Sequence, residues 1–184
     1  MTRIVAGQHG GRRIAVPDGR DTRPTTDRVR EALFGALGDL TGLRLLDLYA
    51  GSGAIGLEAA SRGADHVLLV EQAARAAKTA RENIALLGLA GKVELSASPV
   101  ESRLPAGPPG EPYDIVFADP PYETGPEEIT TMLAGLVRYG WLAPEATVIV
   151  ERSTRSPEPA WVDGVTPDRS RRYGETTLWY GRGS

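Results

Sequence analysis

The sequence predicts an α/β protein in which helices cover both faces of a mostly parallel sheet. Short apolar runs typical of strands alternate with longer segments of helical periodicity along most of the 184 residues. Two of the apolar runs end in unusual segments, Gly51-Ser52-Gly53 and Asp119-Pro120-Pro121-Tyr122. Open α/β sheets bind ligands at the carboxyl ends of their strands, so these segments are the first candidates for a functional site.

The chain begins with a predicted β-hairpin and a helix. Residues 3–16 alternate loosely around Gly10-Gly11, which predicts a hairpin with a glycine turn. Residues 17–24 are predicted as a loop, and Asp27 is suited to cap a helix that ends near Leu37. The next elements are predicted as strands at 43–48, 67–70 and 93–95 and as helices at 54–61 and 72–87.

The second half of the chain repeats this alternation after a loop rich in proline and glycine at 105–112. A strand at 115–118, a helix at 126–139 and a strand at 147–150 are predicted. Residues 176–180 are predicted as the last strand. No helix is predicted directly before that strand, so we expect it to pair antiparallel with a strand near Val165.

The composition limits the classes of protein that fit. A chain of this length suits one domain with a good core, and 41% apolar and 24% charged residues are typical of a globular protein. We find no apolar run long enough for a membrane span and no signal-peptide pattern, so a cytoplasmic protein is expected. The absence of cysteine excludes disulfides and thiolate chemistry, and the distant His9 and His66 predict no metal site.

Charge is distributed unevenly along the chain. The net charge is −3, but residues 1–30 carry about +4 and the remainder about −7. Such an asymmetry is typical of a basic arm that binds phosphate. A solvated arginine-rich face is the alternative.

The glycine turn indicates a nucleotide-like cofactor. Residues 51–56 match the dinucleotide fingerprint, and Glu71 follows at the spacing that this fingerprint requires, although the same turn also occurs as a plain strand-to-helix connection. Asp47 would face the crevice, where its carboxylate is unfavourable beside a pyrophosphate. S-adenosylmethionine has a sulfonium and an ammonium, which an acid attracts, so the pattern favours this cofactor. Glu71 would accept hydrogen bonds from the ribose hydroxyls, or else is an ordinary acid before a helix.

The segment from Asp119 to Tyr122 predicts chemistry on an amino group. The carboxylate of Asp119 is suited to accept a hydrogen bond from an amine, and the prolines stiffen the turn so that its carbonyls are available as acceptors. The ring of Tyr122 offers a flat face on which a base can stack. We therefore expect methylation of the amino group of an unpaired or flipped nucleobase, the alternative being a rigid turn without a function.

Several segments together resemble one family. The stretch Arg23–Glu31 precedes Asp47–Gly53, and Asp119–Tyr122 follows. Over essentially its whole length the chain resembles the bacterial 16S ribosomal RNA guanine-N2 methyltransferases, the RsmD type. The glycine turn and the Asp-Pro-Pro-Tyr segment occur in other methyltransferases, so the arginine-rich stretch is the specific part. Residues Ile4–Gly7 and Arg172–Gly174 also fit this family.

The resemblance implies a Rossmann-like S-adenosylmethionine-dependent methyltransferase fold, with a mostly parallel seven-stranded sheet, an antiparallel last strand and a small N-terminal hairpin and helix extension. It implies an RNA-contacting hairpin arm at 1–24 and a methyltransferase domain at 25–184. The implied reaction is methyl transfer to the exocyclic N2 amine of a guanine in 16S rRNA, in the assembled small ribosomal subunit. We expect a monomer without metal or membrane partners.

The site residues implied by this resemblance and by the strand ends fall into three groups. The expected catalytic residues are Asp119, Pro120, Pro121 and Tyr122. The expected cofactor-binding residues are Asp47, Ala50, Gly51, Ser52, Gly53, Glu71 and Ser98, where Ser98 departs from the Asp or Asn that the family often places near the adenine amino group. The expected RNA-binding residues, with support from Arg169, are Arg3, Arg12, Arg13, Arg20, Arg23, Arg28, Arg30, Arg171 and Arg172.

Three other functions share part of this pattern. An adenine-N6 DNA methyltransferase would use the same segment, but such enzymes generally have an additional target-reading domain. A glutamine-N5 protein methyltransferase is expected to have Asn in place of Asp119. A non-catalytic RNA-binding assembly factor on the same fold would not need the intact acid and glycine turn.

Overall fold

The computed structural model describes residues 2–17 and 26–184. It divides into two compact units, Met1–Ser98 and Pro99–Ser184. The boundary predicted between an arm at 1–24 and a domain from 25 falls on residues outside the described ranges, so it stays a prediction.

The first unit alternates strands and helices after a short hairpin. Strand β4 lies between β3 and β5 and is parallel to both, as expected for strands joined by helices. The elements are β1 (Thr2–Arg3), β2 (Arg13–Ile14), α1 (Asp27–Leu37), β3 (Arg44–Leu48), α2 (Ala54–Ser61), β4 (His66–Val70), α3 (Ala74–Leu86) and β5 (Val93–Ser96).

Helix α1 has the predicted bounds but a different cap. The N-cap is Thr26, whose Oγ1 accepts a hydrogen bond from the backbone N–H of Val29 at 3.3 Å. Asp27 is instead the first helical residue, where its negative charge suits the positive end of the helix. The prediction that Asp27 caps the helix was wrong by one residue, because either side chain satisfies the same capping pattern.

The N-terminal hairpin, residues 2–17, packs against α2. The buried carboxylate of Glu58 accepts hydrogen bonds from the N–H groups of Val5 at 2.8 Å and Ala6 at 3.0 Å. The backbone of Gly7 lies so close to Ser61 that a methyl group on Gly7 would be 2.1 Å from the Ser61 carbonyl oxygen. The hairpin is therefore bound to α2 through specific backbone contacts.

The third glycine of the predicted fingerprint brings α2 close to the sheet. A methyl group on Gly56 would lie 2.3 Å from Leu69 Cδ2 and 2.8 Å from Val67 Cγ1. Both partners are buried residues of β4. A side chain at position 56 would thus push the helix off the strand, which explains the glycine by packing.

The second unit contains the remaining strands. Strand β7 is parallel to β6, and β9 is antiparallel to both β7 and β8. The pairing of Val165 with Gly183 confirms the antiparallel partner predicted for the last strand. The elements are α4 (Val100–Arg103), a 3-10 turn (Leu104–Ala106), β6 (Tyr113–Ala118), α5 (Pro126–Arg138), β7 (Leu142–Ser153), β8 (Val165–Tyr173) and β9 (Thr176–Gly183).

The predicted fold class is confirmed. The fold is a mostly parallel, seven-stranded α/β fold. Within each unit the described pairings are parallel, except for those of β9. Strand β7 is longer than the predicted 147–150, because Leu142 already pairs with Tyr113 of β6 and the polar residues 151–153 continue the pairing with β9. In the described part of the chain, helices long and apolar enough to span a bilayer are absent.

Candidate active site

The glycine turn between β3 and α2 is a tight loop with an open side. Gly51 and Gly53 have φ angles of 59° and 87°, and Tyr49 has a φ of 60°. A positive φ is uncommon for a residue with a side chain, so Tyr49 marks strain at the start of the turn. A methyl group on Gly51 would have no described atom within 4 Å, so its α-carbon faces free space that a ligand can occupy.

Glu71, the first residue after β4, holds this turn. Its Oε1 accepts a hydrogen bond from the N–H of Gly51, and its Oε2 accepts one from the N–H of Ala73, both at 2.8 Å. An ionised carboxylate has about four acceptor sites, so these bonds leave capacity for ribose hydroxyls. The contact between Glu71 and the cofactor stays a prediction. The structure shows in addition that Glu71 fixes the glycine turn through its hydrogen bond with Gly51.

Asp47 is used by the helix that follows the turn. The side chain is only 2% exposed, and its Oδ2 accepts a hydrogen bond from the N–H of Gly56 at 3.0 Å. The N–H groups of a first helical turn have no partner within the helix, and a carboxylate suits its positive end. Helix α2 thus uses one oxygen of this carboxylate, and the predicted role of Asp47 at the cofactor stays a prediction.

Asn83 on α3 also holds the turn, and it was missed in the sequence. Its Nδ2 donates to the carbonyls of Ser52 at 3.1 Å and Ala15 at 2.9 Å, and its Oδ1 accepts from the N–H of Ala15 at 2.9 Å. The available signal was a polar residue at helical spacing after Ala76 and Ala80, on a face otherwise filled by small apolar residues. Asn83 thus joins the glycine turn to the hairpin.

Ser98 lies beyond β5 and is paired with its neighbour. The hydroxyl oxygens of Ser96 and Ser98 are 2.8 Å apart, and the N–H of Glu71 donates to the Ser96 carbonyl at 3.1 Å. Because β3, β4 and β5 are parallel neighbours, the glycine turn, Glu71 and Ser98 lie at one edge of these strands. The structure therefore brings together the predicted cofactor residues, while the contact of Ser98 with adenine stays a prediction.

The Asp-Pro-Pro-Tyr segment directly follows β6, as predicted. Asp119 is half-buried, Pro120 is buried, and Tyr122 is 73% exposed. The N–H of Thr124 donates to the Pro121 carbonyl at 2.9 Å and closes a turn. A groove of about 240 Å³ lies beside the Tyr122 ring. The segment thus presents a flat ring next to open space.

Arg152 on β7 contacts this segment, and it too was missed in the sequence. The side chain is 7% exposed. The only signal was a charged residue close behind the apolar run at 148–150. Its Nη1 donates to the carbonyls of Pro120 at 3.3 Å and Pro121 at 3.2 Å, and its Nη2 donates to those of Tyr122 at 3.4 Å and Thr124 at 3.1 Å.

Among the arginines predicted to bind RNA, Arg30 is contradicted by the structure. Its side chain is fully buried, and its Nη2 donates to the Asp27 carboxylate and the Thr2 hydroxyl. A guanidinium in this position has no access to phosphate, so the RNA-binding prediction for Arg30 was wrong. Arg20 and Arg23 lie outside the described residues, and their contacts stay predictions.

The remaining N-terminal arginines are exposed. Arg3 and Arg13 lie opposite each other on β1 and β2, and Arg3 Nε is 3.6 Å from a carboxylate oxygen of Asp27. Like charges directly opposite each other repel, which favours an anion between them. Arg12 donates to a backbone carbonyl at the end of α3, and Arg28 is exposed on α1. These positions are compatible with the predicted phosphate contacts, which stay predictions.

A second group of exposed arginines lies on β8, the strand at the edge of the sheet. Arg169, Arg171 and Arg172 all belong to it and are exposed. The guanidinium of Arg169 lies 4.8 Å from the centre of the Tyr180 ring. Burial raises the pKa of the Tyr180 hydroxyl above its ordinary value.

Comparison with known proteins agrees with this geometry. The model of the family described as Conserved hypothetical protein 95 matches residues 2–182. The ribosomal RNA small subunit methyltransferase D of Escherichia coli strain K12 is 42% identical over 158 residues, which cover 85% of this chain and 77% of that protein. The protein of the same name from Haemophilus influenzae is 33% identical over 157 residues, covering 84% and 80%.

This chain belongs to the ribosomal RNA small subunit methyltransferase D family. The family model spans nearly the whole chain, so the membership covers both units. It confirms the resemblance predicted from the arginine-rich stretch, the glycine turn and the Asp-Pro-Pro-Tyr segment. The predicted cofactor, S-adenosylmethionine, is confirmed with it.

Solved structures agree with membership of the ribosomal RNA small subunit methyltransferase D family. The protein yhhF of Escherichia coli superposes with a TM-score of 0.88 at 35% identity, covering 100% of this chain and 98% of that chain. An RNA methyltransferase from Salinibacter ruber in complex with S-adenosyl-L-homocysteine has a TM-score of 0.64 at 22% identity, covering 87% and 93%. The second likeness supports the fold alone.

Proposed function

We propose that this D family member transfers a methyl group from S-adenosylmethionine to the exocyclic N2 amine of a guanine in 16S rRNA, within the assembled small ribosomal subunit. Methylation of ribosomal RNA follows from the family. The choice of guanine N2 is the finer step. The observation that carries an amino group as the target is Asp119-Pro120-Pro121-Tyr122 at the carboxyl end of β6, a set of acceptors and a ring suited to such a group on a base. The choice of guanine over adenine comes from the resemblance to the guanine-N2 methyltransferases.

The first unit fits the cofactor. The α-carbon of Gly51 faces free space, so a ligand can approach the backbone closely, and Glu71 has acceptor capacity for ribose hydroxyls. Ala50, Ser52 and Gly53 complete the turn. S-adenosylmethionine, when bound, supplies an electrophilic methyl group on its sulfonium.

The second unit supplies acceptors for the amine. The lone pair of an exocyclic guanine amine is delocalised into the ring, which makes it a poor nucleophile. Hydrogen bonds from its two N–H groups to the Asp119 carboxylate and the Pro120 carbonyl would favour a pyramidal nitrogen with a directed lone pair. Stacking on Tyr122 would hold the base, with about 1–3 kcal/mol. Orientation of this kind contributes roughly 7–11 kcal/mol to lowering a barrier.

Mass spectrometry of methylated RNA tests the function directly. Small subunits from a deletion strain are incubated with the protein and S-adenosylmethionine, and the RNA is digested to nucleosides. We expect one N2-methylguanosine per subunit, and less product from free 16S rRNA. N6-methyladenosine as the product, or no methylated nucleoside, would contradict the proposal.

Replacement of Glu71 with alanine is expected to weaken cofactor binding. The variant loses the hydrogen bonds from the N–H groups of Gly51 and Ala73 and also the proposed bonds to ribose. Each charge-assisted hydrogen bond is worth roughly 1.5–3 kcal/mol. Calorimetric titration with S-adenosylmethionine measures the change, and Glu94→Ala, an exposed carboxylate on β5, is the control. An unchanged dissociation constant for Glu71→Ala would remove Glu71 from the cofactor site.

RNA binding is proposed to use the exposed arginines of the hairpin and of β8. Phosphate contacts release counterions, so affinity should fall steeply as salt rises. Replacing Arg12 and Arg13 with alanine should reduce the slope of log affinity against log salt by about one unit for each lost contact. Binding of 16S rRNA measured at several salt concentrations gives this slope, with Arg81→Ala on α3 as the control. An unaltered slope together with a large loss of thermal stability would show that these arginines only support the fold.

A further inference from the structure

We infer that Arg152 is a positioning residue for methyl transfer: its guanidinium sets the conformation of the segment from Asp119 to Tyr122. This inference rests on the proposed function, because the segment matters only if it receives the acceptor amine. Arg152 lies in β7, near the strand's carboxyl end, and is almost completely buried. The segment that it contacts begins directly after β6, the parallel neighbour of β7.

The strand register explains why an arginine is useful at this position. The last residue pair of β6 and β7 is Ala118 with Val150. Continuing the same register would place Pro120 beside Arg152. Proline has no N–H to donate, so the ladder between the strands cannot continue through Pro120 and Pro121. The carbonyls of this segment therefore need donors from elsewhere, and the side chain of Arg152 supplies them.

The shape of the guanidinium suits this role. Its two terminal nitrogens donate to four backbone carbonyls, those of Pro120, Pro121, Tyr122 and Thr124, at 3.1–3.4 Å. The acceptors all belong to five consecutive residues. A planar fork of donors reaches such a set at once, whereas the ammonium of lysine is a single point with three donors. Arg152 thus connects the whole turn to β7.

The bond to Pro120 also affects the proposed chemistry. A backbone carbonyl has two lone pairs, and Arg152 uses one of those on Pro120. The other is available for the N–H of an acceptor amine, in a direction that the bond to Arg152 determines. Asp119 is the residue immediately before, so a turn that shifts at Pro120 also moves the carboxylate. Loss of the Arg152 guanidinium should therefore misplace both acceptors, the Asp119 carboxylate and the Pro120 carbonyl, while the fold remains intact.

Kinetics of Arg152→Lys test this inference. Displacement of a reacting group by about 1 Å costs on the order of 100-fold, so we expect kcat to fall by about that factor. The dissociation constant of S-adenosylmethionine and the KM for small subunits should each change by less than about threefold, because the hydrogen bonds of the Arg152 guanidinium go to the acceptor segment. The matched control is Arg138→Lys, at an exposed arginine in the last turn of α5, and it should leave all three quantities unchanged.

Chemical rescue separates positioning from folding. Arg152→Ala is assayed with added ethylguanidinium or ethylammonium. Only the planar ethylguanidinium should restore kcat, raising it about tenfold or more above the value of Arg152→Ala without an added cation. Wild-type kcat in Arg152→Lys would overturn the inference, as would a loss of kcat matched by an equal loss of cofactor affinity, or equal rescue by both cations. N6-methyladenosine as the product of the wild-type protein, or no methylated nucleoside, would instead defeat the proposed function, whatever the result at Arg152.

Discussion

Replacing Asp119 with alanine is expected to lower methyl transfer by roughly 1,000-fold, the range seen when a positioned proton acceptor is removed. Asp119 follows β6 and is half-buried. It directly precedes the turn that is bonded to Arg152, in a place suited to the acceptor amine. The amine would lose its charged acceptor and the direction of its lone pair. The dissociation constant of S-adenosylmethionine should remain within about threefold, because the proposed cofactor contacts lie in the glycine turn and at Glu71.

Two further variants sharpen the Asp119 experiment. Asp119→Asn keeps the shape and one acceptor oxygen but removes the charge, so its kcat should lie between those of the wild type and Asp119→Ala. Asp163→Ala removes an exposed carboxylate of the same unit and should leave kcat unchanged. Steady-state assays with small subunits measure kcat, and calorimetry measures cofactor binding. Activity of Asp119→Ala within tenfold of wild type would end its assignment as the acceptor of the amine.

The elements and the two reactive segments were predictable because each depends on local sequence. Helix α2 occupies the predicted bounds of 54–61, since a glycine turn begins it and Gly63 follows its end. The Asp-Pro-Pro-Tyr segment was placed correctly because an apolar run leads into two prolines, which cannot continue a strand. Patterns of this kind need no knowledge of distant residues.

The residues that hold these segments were not predictable, because their partners are remote in sequence. Arg152 contacts a turn some thirty residues earlier, and Asn83 contacts Ala15 across 68 residues. Such pairs depend on the register of strands and on how a hairpin packs, which no local pattern contains. For the same reason Arg30 was assigned to RNA: a charge in the sequence does not show whether its side chain is buried.

Among the residues with partners remote in sequence, Glu58 is the one whose replacement should lower the free energy of unfolding most. Its carboxylate is fully buried and accepts from the N–H groups of Val5 and Ala6 and from Arg62 Nε at 2.8–3.0 Å. Replacing it with alanine removes the acceptor of two backbone donors and leaves Arg62, which is 22% exposed, without its ion-pair partner. Breaking a buried pair typically costs about 3–5 kcal/mol, so we expect Glu58→Ala to lower the free energy of unfolding by about 3 kcal/mol.

Denaturant unfolding measures this loss, and Glu82→Ala is the matched control because its carboxylate is exposed on α3. The control should change the free energy of unfolding by less than about 0.5 kcal/mol.

In Glu58→Ala the amides of Val5 and Ala6 should also exchange hydrogen faster than those of β4, since the hairpin would open locally before the sheet does. If Arg3, Arg12 and Arg13 bind RNA from this hairpin, its release should flatten the salt slope of RNA binding as well. A Glu58→Ala variant as stable as the control would show that the hairpin is held by its apolar residues, Ile4 and Ile14, which are both buried.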